Sequence, residues 1–595
     1  MRVGIAEPTE RRDDRDRWRL GLVAFAVLLA AADTYVVVVA LPSIMSGVGI
    51  GIDRLQRATP IISGFLLGYT AVLPLIGRLA DLTGTAPVFS GCLSIFAGGS
   101  VITATAHSLP VAVAGRALQG LGGGGLVPVA LAMVASRWAP DERGAPLGFV
   151  GAVQELGSVL GPLYGAGVVA VASWRAIFWI NVPVAVVVGG GFWLAGRRSA
   201  RTGRKDFVGA ILLVAGSAGL ILALDAPSSL ANSASLGQLY APQSSGAWSA
   251  FTTPIALISF GVLAGFVIWE AVRPFNVRPL LSTRSLPAVL SGADLPGAAL
   301  LAGVLACVVV AFSTADPSRQ VVASSAKVLG PLALVLAVGF VIRQRTAKAP
   351  LLNFGSFSAR PAWGSLLVNL SLGGALMAAL LDVPLFARAT VDPNSEVAAA
   401  LVLVRFLVAV PVGAIVGGVI CRTRATAPFV AALGMTLATV SFVFMASWAQ
   451  TSLGGGPRPS DVELVVCGFG FGLAIAPVNL AILGAVSDRV HALASALAVV
   501  ARTIGMLVGL SALTAVALHR FYRAEARIGS PLVLCPSQPT SCPAYTHATT
   551  AAVITELHTI FAGAAICAGV AGVLALILLR PAEGPAGGKR LEQAR

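Results

Sequence analysis

Charge is scarce in this sequence. Asp, Glu, Lys and Arg make up only 11% of its 595 residues, whereas soluble domains carry about a quarter. With 56% hydrophobic residues, gathered in long blocks, that deficit excludes a soluble globular class and points to a chain that lives in lipid. Histidine is nearly absent, at 5 in the whole chain, and the 7 cysteines have no ligand-like spacing, so no metal site and no cofactor are expected. Gly122–Gly125 follow no strand and precede no Lys, so they read as close helix packing, and nucleotide-driven chemistry on a phosphate loop is excluded. Short alternating strands are missing, which excludes a barrel.

What is present is a series of apolar blocks. Each is near the ~20 residues that span a hydrocarbon core as a helix, and lipid tolerates no unsatisfied backbone. The predicted class is an all-α polytopic membrane protein with about sixteen transmembrane helices. The first six spans run over 20–44, 58–80, 88–107, 109–135, 145–171 and 176–197. Four follow at 207–225, 252–272, 287–313 and 326–342. The last six run over 363–387, 396–420, 427–449, 462–486, 493–520 and 552–579. Asp294 and Pro296 interrupt the ninth, so the 287–342 pair reads either as two spans or as a re-entrant hairpin.

The formal charge of +15 sits in loops between the blocks. No basic and aromatic cluster accompanies it, so nucleic acid is not an expected partner. The distribution is instead positive-inside. Gly196–Asp206 is the strongest inner anchor, and 226–251 contains no Lys or Arg, which puts it outside. Both termini are then cytoplasmic, and the charged run Glu10–Arg19 leads into a full-length span rather than a cleavable signal. The domain plan is a tail over 1–19, a six-helix half over 20–197, a four-helix linker over 198–362, a second six-helix half over 363–580 and a tail over 581–595. Cys535 and Cys542 fall in the outer loop 523–550, where an oxidising exterior favours a disulfide over two free thiols. The other five cysteines read as packing residues.

Five motifs occur in order on these spans. They are Asp33-Thr34-Tyr35 in the first, Gly77–Gly84 after the second, Gly115–Gly120 around Arg116 in the fourth, Gly157–Gly165 in the fifth and Trp174–Pro183 opening the sixth. The set resembles the major facilitator superfamily, in its drug:proton antiporter branch with extra linker helices. Asp33–Val38, Gln154–Tyr164, Leu381-Asp382-Val383 and Ala494–Met506 with Arg520-Phe521 are more specifically similar to actinobacterial triacylglyceride exporters. The resemblance implies two six-helix halves with substrate between them. It also implies proton-coupled export from a bacterial plasma (inner) membrane of a lipid or drug-like amphiphile, with membrane lipid around it and an extracytoplasmic lipid-binding lipoprotein as partner. Three departures stand out. Gly84-Thr85-Ala86-Pro87 replaces the basic residues expected after the glycine, the 287–342 pair looks inserted, and the loop 447–463 is short.

Buried charges carry the functional expectations. Glu155 and Arg502 each lie about nine residues into a span from the inner face, ~14 Å deep at ~1.5 Å per residue. They sit on opposite halves, so they form either a state-dependent bridge that couples protons or a permanent structural pair. Asp33 in mid-span is expensive, and reads as a second proton carrier near Arg116 or as a packing device. Gln119 and Gln154 are candidates for holding polar head groups. Asp382 and Arg405 read as a local structural pair. Gly77, Asp81, Gly84 and Arg116 belong to the gating motifs, and Gly157, Gly161 and Gly165 make a small face for close helix contact. Pro162 removes a backbone hydrogen bond beside that face. His519–Ile528 looks like an extension of the eleventh span beyond the membrane, either guiding lipid or anchoring at the interface. A membrane transferase lacks support, because His519, Asp316 and His547 show no catalytic spacing. A non-transporting scaffold leaves Asp33, Glu155 and Arg502 without a purpose.

Overall fold

The computed structural model describes residues 14–49, 55–139, 142–195, 206–226, 230, 232–233, 235–245, 249–272, 292–313, 325–352, 354–390, 396–421, 425–453, 458–535 and 542–580. Among them there are helices and no strands. The first half contains α1 (Asp14–Gly47), α2 (Leu55–Ala71), α3 (Leu73–Thr83), α4 (Thr85–Ala104), α5 (Leu109–Arg137), α6 (Gly144–Val171) and α7 (Arg175–Ala195). The linker contains α8 (Phe207–Asp225), α9 (Pro254–Val272), α10 (Leu295–Ser313) and α11 (Ala326–Thr346). The second half contains α12 (Arg360–Thr390), α13 (Glu396–Ile420), α14 (Ala427–Met445), α15 (Pro459–Ala485), α16 (His491–Glu525) and α17 (Pro543–Leu578).

Among the described residues, 15 helical segments are long and apolar enough to cross a membrane. The 28-residue α6 joins them, and α2 with α3 make one crossing broken at Val72. The break has a local cause: Pro74 has no N–H to bond back into α2, and it suits the first turn of a new helix. The protein is therefore a multi-pass membrane protein.

Two expectations need correction. Asp294 does not interrupt a span. It stands just before α10 with φ 46°, a left-handed conformation that Asp tolerates better than most residues. Its carboxylate accepts from Arg343 Nε at 2.9 Å and Gln344 Nε2 at 3.0 Å, tying the start of α10 to the end of α11. Both helices of the pair are full length, at 19 and 21 residues. The twelfth span also starts earlier than expected, at Pro543 rather than near 552, while the eleventh continues past His519 as its sequence suggests. At 35 and 36 residues, α16 and α17 are each a little over 50 Å long, against a core of ~30 Å. Their excess carries the Cys535–Cys542 disulfide. The inner anchor over residues 196–205, the tails 1–13 and 581–595, and Asp316 lie outside the described residues.

The ends of the bundle are named here for the Gly84 turn and for the disulfide. Gly84 has φ 88°, a value that only glycine adopts without strain, and this lets α3 reverse into α4. At the Gly84 end the halves share one core, in which Leu131, Val134 and Leu147 pack in one cluster with Leu480, Leu483 and Ala496. Gly144 and Gly148 of α6 meet the backbone of Gly418 and Ala414 on α13 so closely that a methyl group would collide. The linker helix α10 packs along α2 and α16, and Ser511 Oγ donates to the Phe312 carbonyl at 3.3 Å. The hairpin α8–α9 packs chiefly on itself.

Candidate functional site

A cavity of about 320 Å³ lies between the halves. Its wall is apolar, with Leu66, Leu163, Leu380, Leu407 and Met506 among the lining residues. The aliphatic hydroxyls in the wall are spent on their own helices, and Tyr35 and Tyr69 add two phenols to it. Thr34 donates to the Ala30 carbonyl at 3.0 Å, Ser158 to Gln154 at 3.3 Å and Thr503 to Val499 at 3.0 Å. Such back-bonding removes their donors from any ligand.

One charged pair lies in this apolar wall. Arg502 Nη1 on α16 donates to Glu155 Oε1 on α6 at 3.0 Å. The Glu155 side chain is 9% exposed and that of Arg502 12%. Each residue sits eleven positions into its helix, from 144 to 155 and from 491 to 502, so each is ~16 Å from the Gly84 end. Gln154 lines the cavity beside Glu155. A second pocket of about 20 Å³ also borders Arg502, with Gln154, Asn369 and Asn479 in its lining. That volume holds about one water. Asn369 and Asn479 were not singled out in the sequence, because an amide in a long apolar block has no motif around it.

Asp33 and Gln119 are elsewhere. Both are buried within the first half, and neither lines the cavity. Arg116 Nη1 donates to Asp33 Oδ2, Asn181 Nδ2 to Asp33 Oδ1 at 2.8 Å, and Gln119 Nε2 to Ser100 Oγ at 2.8 Å. The Arg116 guanidinium also lies 4.2 Å from the Phe65 ring centroid. The network ties α1, α4, α5 and α7 together, which favours the packing alternative for Asp33. Gln119 is not available to a head group in this arrangement, because its amide is committed to Ser100, Thr103 and Asp33. Asn181 stood in a quoted motif without a role, and its contact with Asp33 supplies one.

The small faces have distinct partners. Gly157, Gly161 and Gly165 meet the α1 backbone and side chains at Leu28, Ala32 and Val36, with Pro162 in the cavity wall. Asp81 accepts from the backbone N–H of Ala492 at 2.9 Å and of Leu493 at 3.0 Å. This sets a carboxylate on the free N–H groups that open α16, and it needs no basic residue after Gly84. Gly77 lies beside the same turn, where a methyl group would stand 2.8 Å from the Ala492 oxygen.

Two six-helix halves with linker helices between them, closed on each other at one end and parted around a cavity, match a known sequence family: the profile of the Major Facilitator Superfamily matches residues 23–342. The chain belongs to this superfamily. It is a transporter of that fold. It is 36% identical over 527 residues to a triacylglyceride transporter of Mycolicibacterium hassiacum, covering 87% of this chain and 82% of that one. It is 33% identical over 572 residues to a triacylglyceride transporter of Mycolicibacterium smegmatis, covering 93% and 86%. Among solved structures, the human organic anion transporter MFSD10 aligns with a TM-score of 0.50 at 15% identity, covering 93% of this chain and 99% of that one. That likeness concerns the fold alone.

The Gly77–Asp81 contact yields a test of closure in this transporter. Gly77→Leu or Asp81→Asn is expected to shift the population toward conformers open at the Gly84 end, because the first puts a side chain where the Ala492 backbone stands and the second weakens the acceptor for the α16 N–H groups. The measurement is maleimide labelling of Asn479→Cys in a background without other free thiols. Faster labelling from the Gly84 side is expected in both variants, and unchanged labelling would rule the contact out as a gate.

Proposed function

We propose that this transporter exports a neutral lipid of the triacylglyceride type in exchange for protons, with Glu155 and Arg502 as the coupling pair. The observation that carries the reading is the Glu155–Arg502 ion pair between the halves, set into a largely apolar cavity. A neutral lipid needs an apolar wall and few donors, and the wall has those properties. A cavity of about 320 Å³ is at the small end of the ~300–1,000 Å³ typical for drug-sized ligands. It takes part of a three-chain lipid at a time, with the remainder left in surrounding apolar space.

Coupling follows from electrostatics. With the pair formed, both charges are compensated. When a proton neutralises Glu155, the attraction across the halves is lost and Arg502 keeps an uncompensated charge in apolar surroundings. The halves then favour an arrangement that gives Arg502 other partners, and Gln154, Asn369 and Asn479 lie beside it. The positive-inside rule orients the Gly84 end to the cytoplasm of a bacterial plasma membrane. The conformer described here is then the one closed to the cytoplasm. The projecting α16–α17 hairpin is the place for an extracytoplasmic lipid-binding lipoprotein to receive the lipid.

The test is reconstitution in liposomes with an imposed pH gradient, following a fluorescent triacylglyceride and a fluorescent cationic drug in parallel. Gradient-dependent movement of the lipid is expected. Movement of the drug alone would favour a multidrug:proton antiporter, and gradient-independent lipid movement would remove the proton.

A further inference from the structure

Asp382 and Arg405 do not form the local pair that their positions in the sequence suggest. Arg405 Nη1 instead donates to Asp461 Oδ1 on α15. Asp382, on α12, is left 3% exposed, with no hydrogen bond or ion pair to any described residue. Every other buried carboxylate among the described residues has partners: Asp33 has Arg116, Glu155 has Arg502, Asp206 has Trp269, Asp294 has Arg343, and Glu270 is also engaged.

The helices packed against α12 bring several charged or titratable groups toward this end, and most are engaged elsewhere. On α17, His558 Nε2 is 2.7 Å from the Trp448 carbonyl. On α15, Asp461 holds Arg405, and Glu463 accepts from Trp448 Nε1 at 2.6 Å. On α16, Arg520 reaches Thr559 Oγ1 at 3.4 Å, while His519 and Arg523 are exposed. Arg388 on α12 itself is exposed as well. The one acid on α17, the helix packed along α12, is Glu556, which is half-buried.

A buried carboxylate without a donor or a cation is too costly to keep as an anion. Two neighbouring carboxyls remove that cost by sharing a proton. We propose that Asp382, together with Glu556, is a proton-carrying site in the second half, separate from the Glu155–Arg502 pair. It has a mechanical link to that pair through α12. Gly373 of α12 faces the Arg502 carbonyl and Gly509 of α16 faces the Gly374 backbone, each so closely that a methyl group there would collide. Asp382 follows Gly374 by about two turns on the same helix. A movement of α16 that opens the ion pair therefore shifts α12, which carries Asp382, against α17, which carries Glu556. The part this site plays in transport rests on the proton-coupled reading above; its occupancy by a proton does not.

The experiment is infrared spectroscopy of the purified full-length protein in lipid nanodiscs at neutral pH, with Asp382→Asn and Glu556→Gln as variants. The carbonyl band of a protonated carboxyl is expected in the wild type, lost in Asp382→Asn and displaced in Glu556→Gln. In proteoliposomes, Asp382→Asn is expected to flatten the dependence of transport on pH while substrate still binds. A band unchanged in both variants overturns the site, and a pH profile of Asp382→Asn identical to that of a pH-dependent wild type overturns its part in transport. Gradient-independent transport by the wild type would instead sink the coupling reading while leaving the band as evidence for the site. Glu556→Gln alone decides the matter spectroscopically if Asp382→Asn does not fold.

Discussion

Glu155→Gln and Arg502→Ala are each expected to abolish transport while the protein still inserts. Each leaves one member of the pair at 3.0 Å without its partner in an apolar wall. Breaking a buried pair in this way costs about 3–5 kcal/mol, and about 1.4 kcal/mol is a factor of ten in rate. A loss of about a hundredfold or more follows if even the lower figure falls on the transport cycle. The measurement is lipid flux under a pH gradient, alongside surface labelling to establish insertion. Glu155→Gln adds a specific signature, because it fixes the neutral form: any residual flux should depend on pH less steeply than in the wild type. The double variant Glu155→Gln, Arg502→Gln separates coupling from architecture. A structural pair replaced by two neutral amides keeps its shape and should recover flux. A coupling pair so replaced should stay folded and uncoupled.

Arg116→Ala is expected to be the most destabilising single change in the first half. The guanidinium is 1% exposed, as is the Asp33 side chain. Its loss strands a buried carboxylate and opens a large cavity beside Phe65. The stranded charge alone costs about 3–5 kcal/mol, a large share of the 5–15 kcal/mol that holds a typical domain together. Low yield and a lowered melting temperature in detergent should result. Asp33→Asn should be milder than Arg116→Ala, since Asn181 and Gln119 can still bond an amide at that position. Combining the two should recover part of the loss. If Arg116→Ala melts like the wild type, the network is not what holds α1, α4, α5 and α7 together.

Much of this was legible along the chain, for reasons that belong to the bilayer. Lipid forces each long apolar block into a helix, so the crossings, the four linker helices and the linker's place between the halves follow from residue order. Helix pitch then sets depth, which is why Glu155 and Arg502 could be matched in height before any contact was known. Boundaries were less legible. The turn at Val72 depends on Pro74, and the lengths of α16 and α17 depend on sequence that is no longer strongly apolar once it leaves the membrane.

Lateral position was decided by tertiary structure alone. Hydropathy and pitch measure distance along a helix axis and say little about which neighbour a side chain faces. Asp33, Asp382, Gln119 and Gln154 are all polar residues within long apolar blocks. Only packing put Gln154 in the cavity and Gln119 into a closed network, gave Asp33 the Asn181 amide beside Arg116 and left Asp382 with no cation. The same holds for Asp81, whose partners are backbone groups 411 and 412 residues away, a contact that no side-chain pattern records. Composition and residue order were enough for a transporter built of two helical halves. That Glu155 and Arg502 touch, and that they do so in the cavity wall, had to come from how the helices rotate against each other, because burial in lipid fixes a helix's path through the membrane and helix packing fixes its facing.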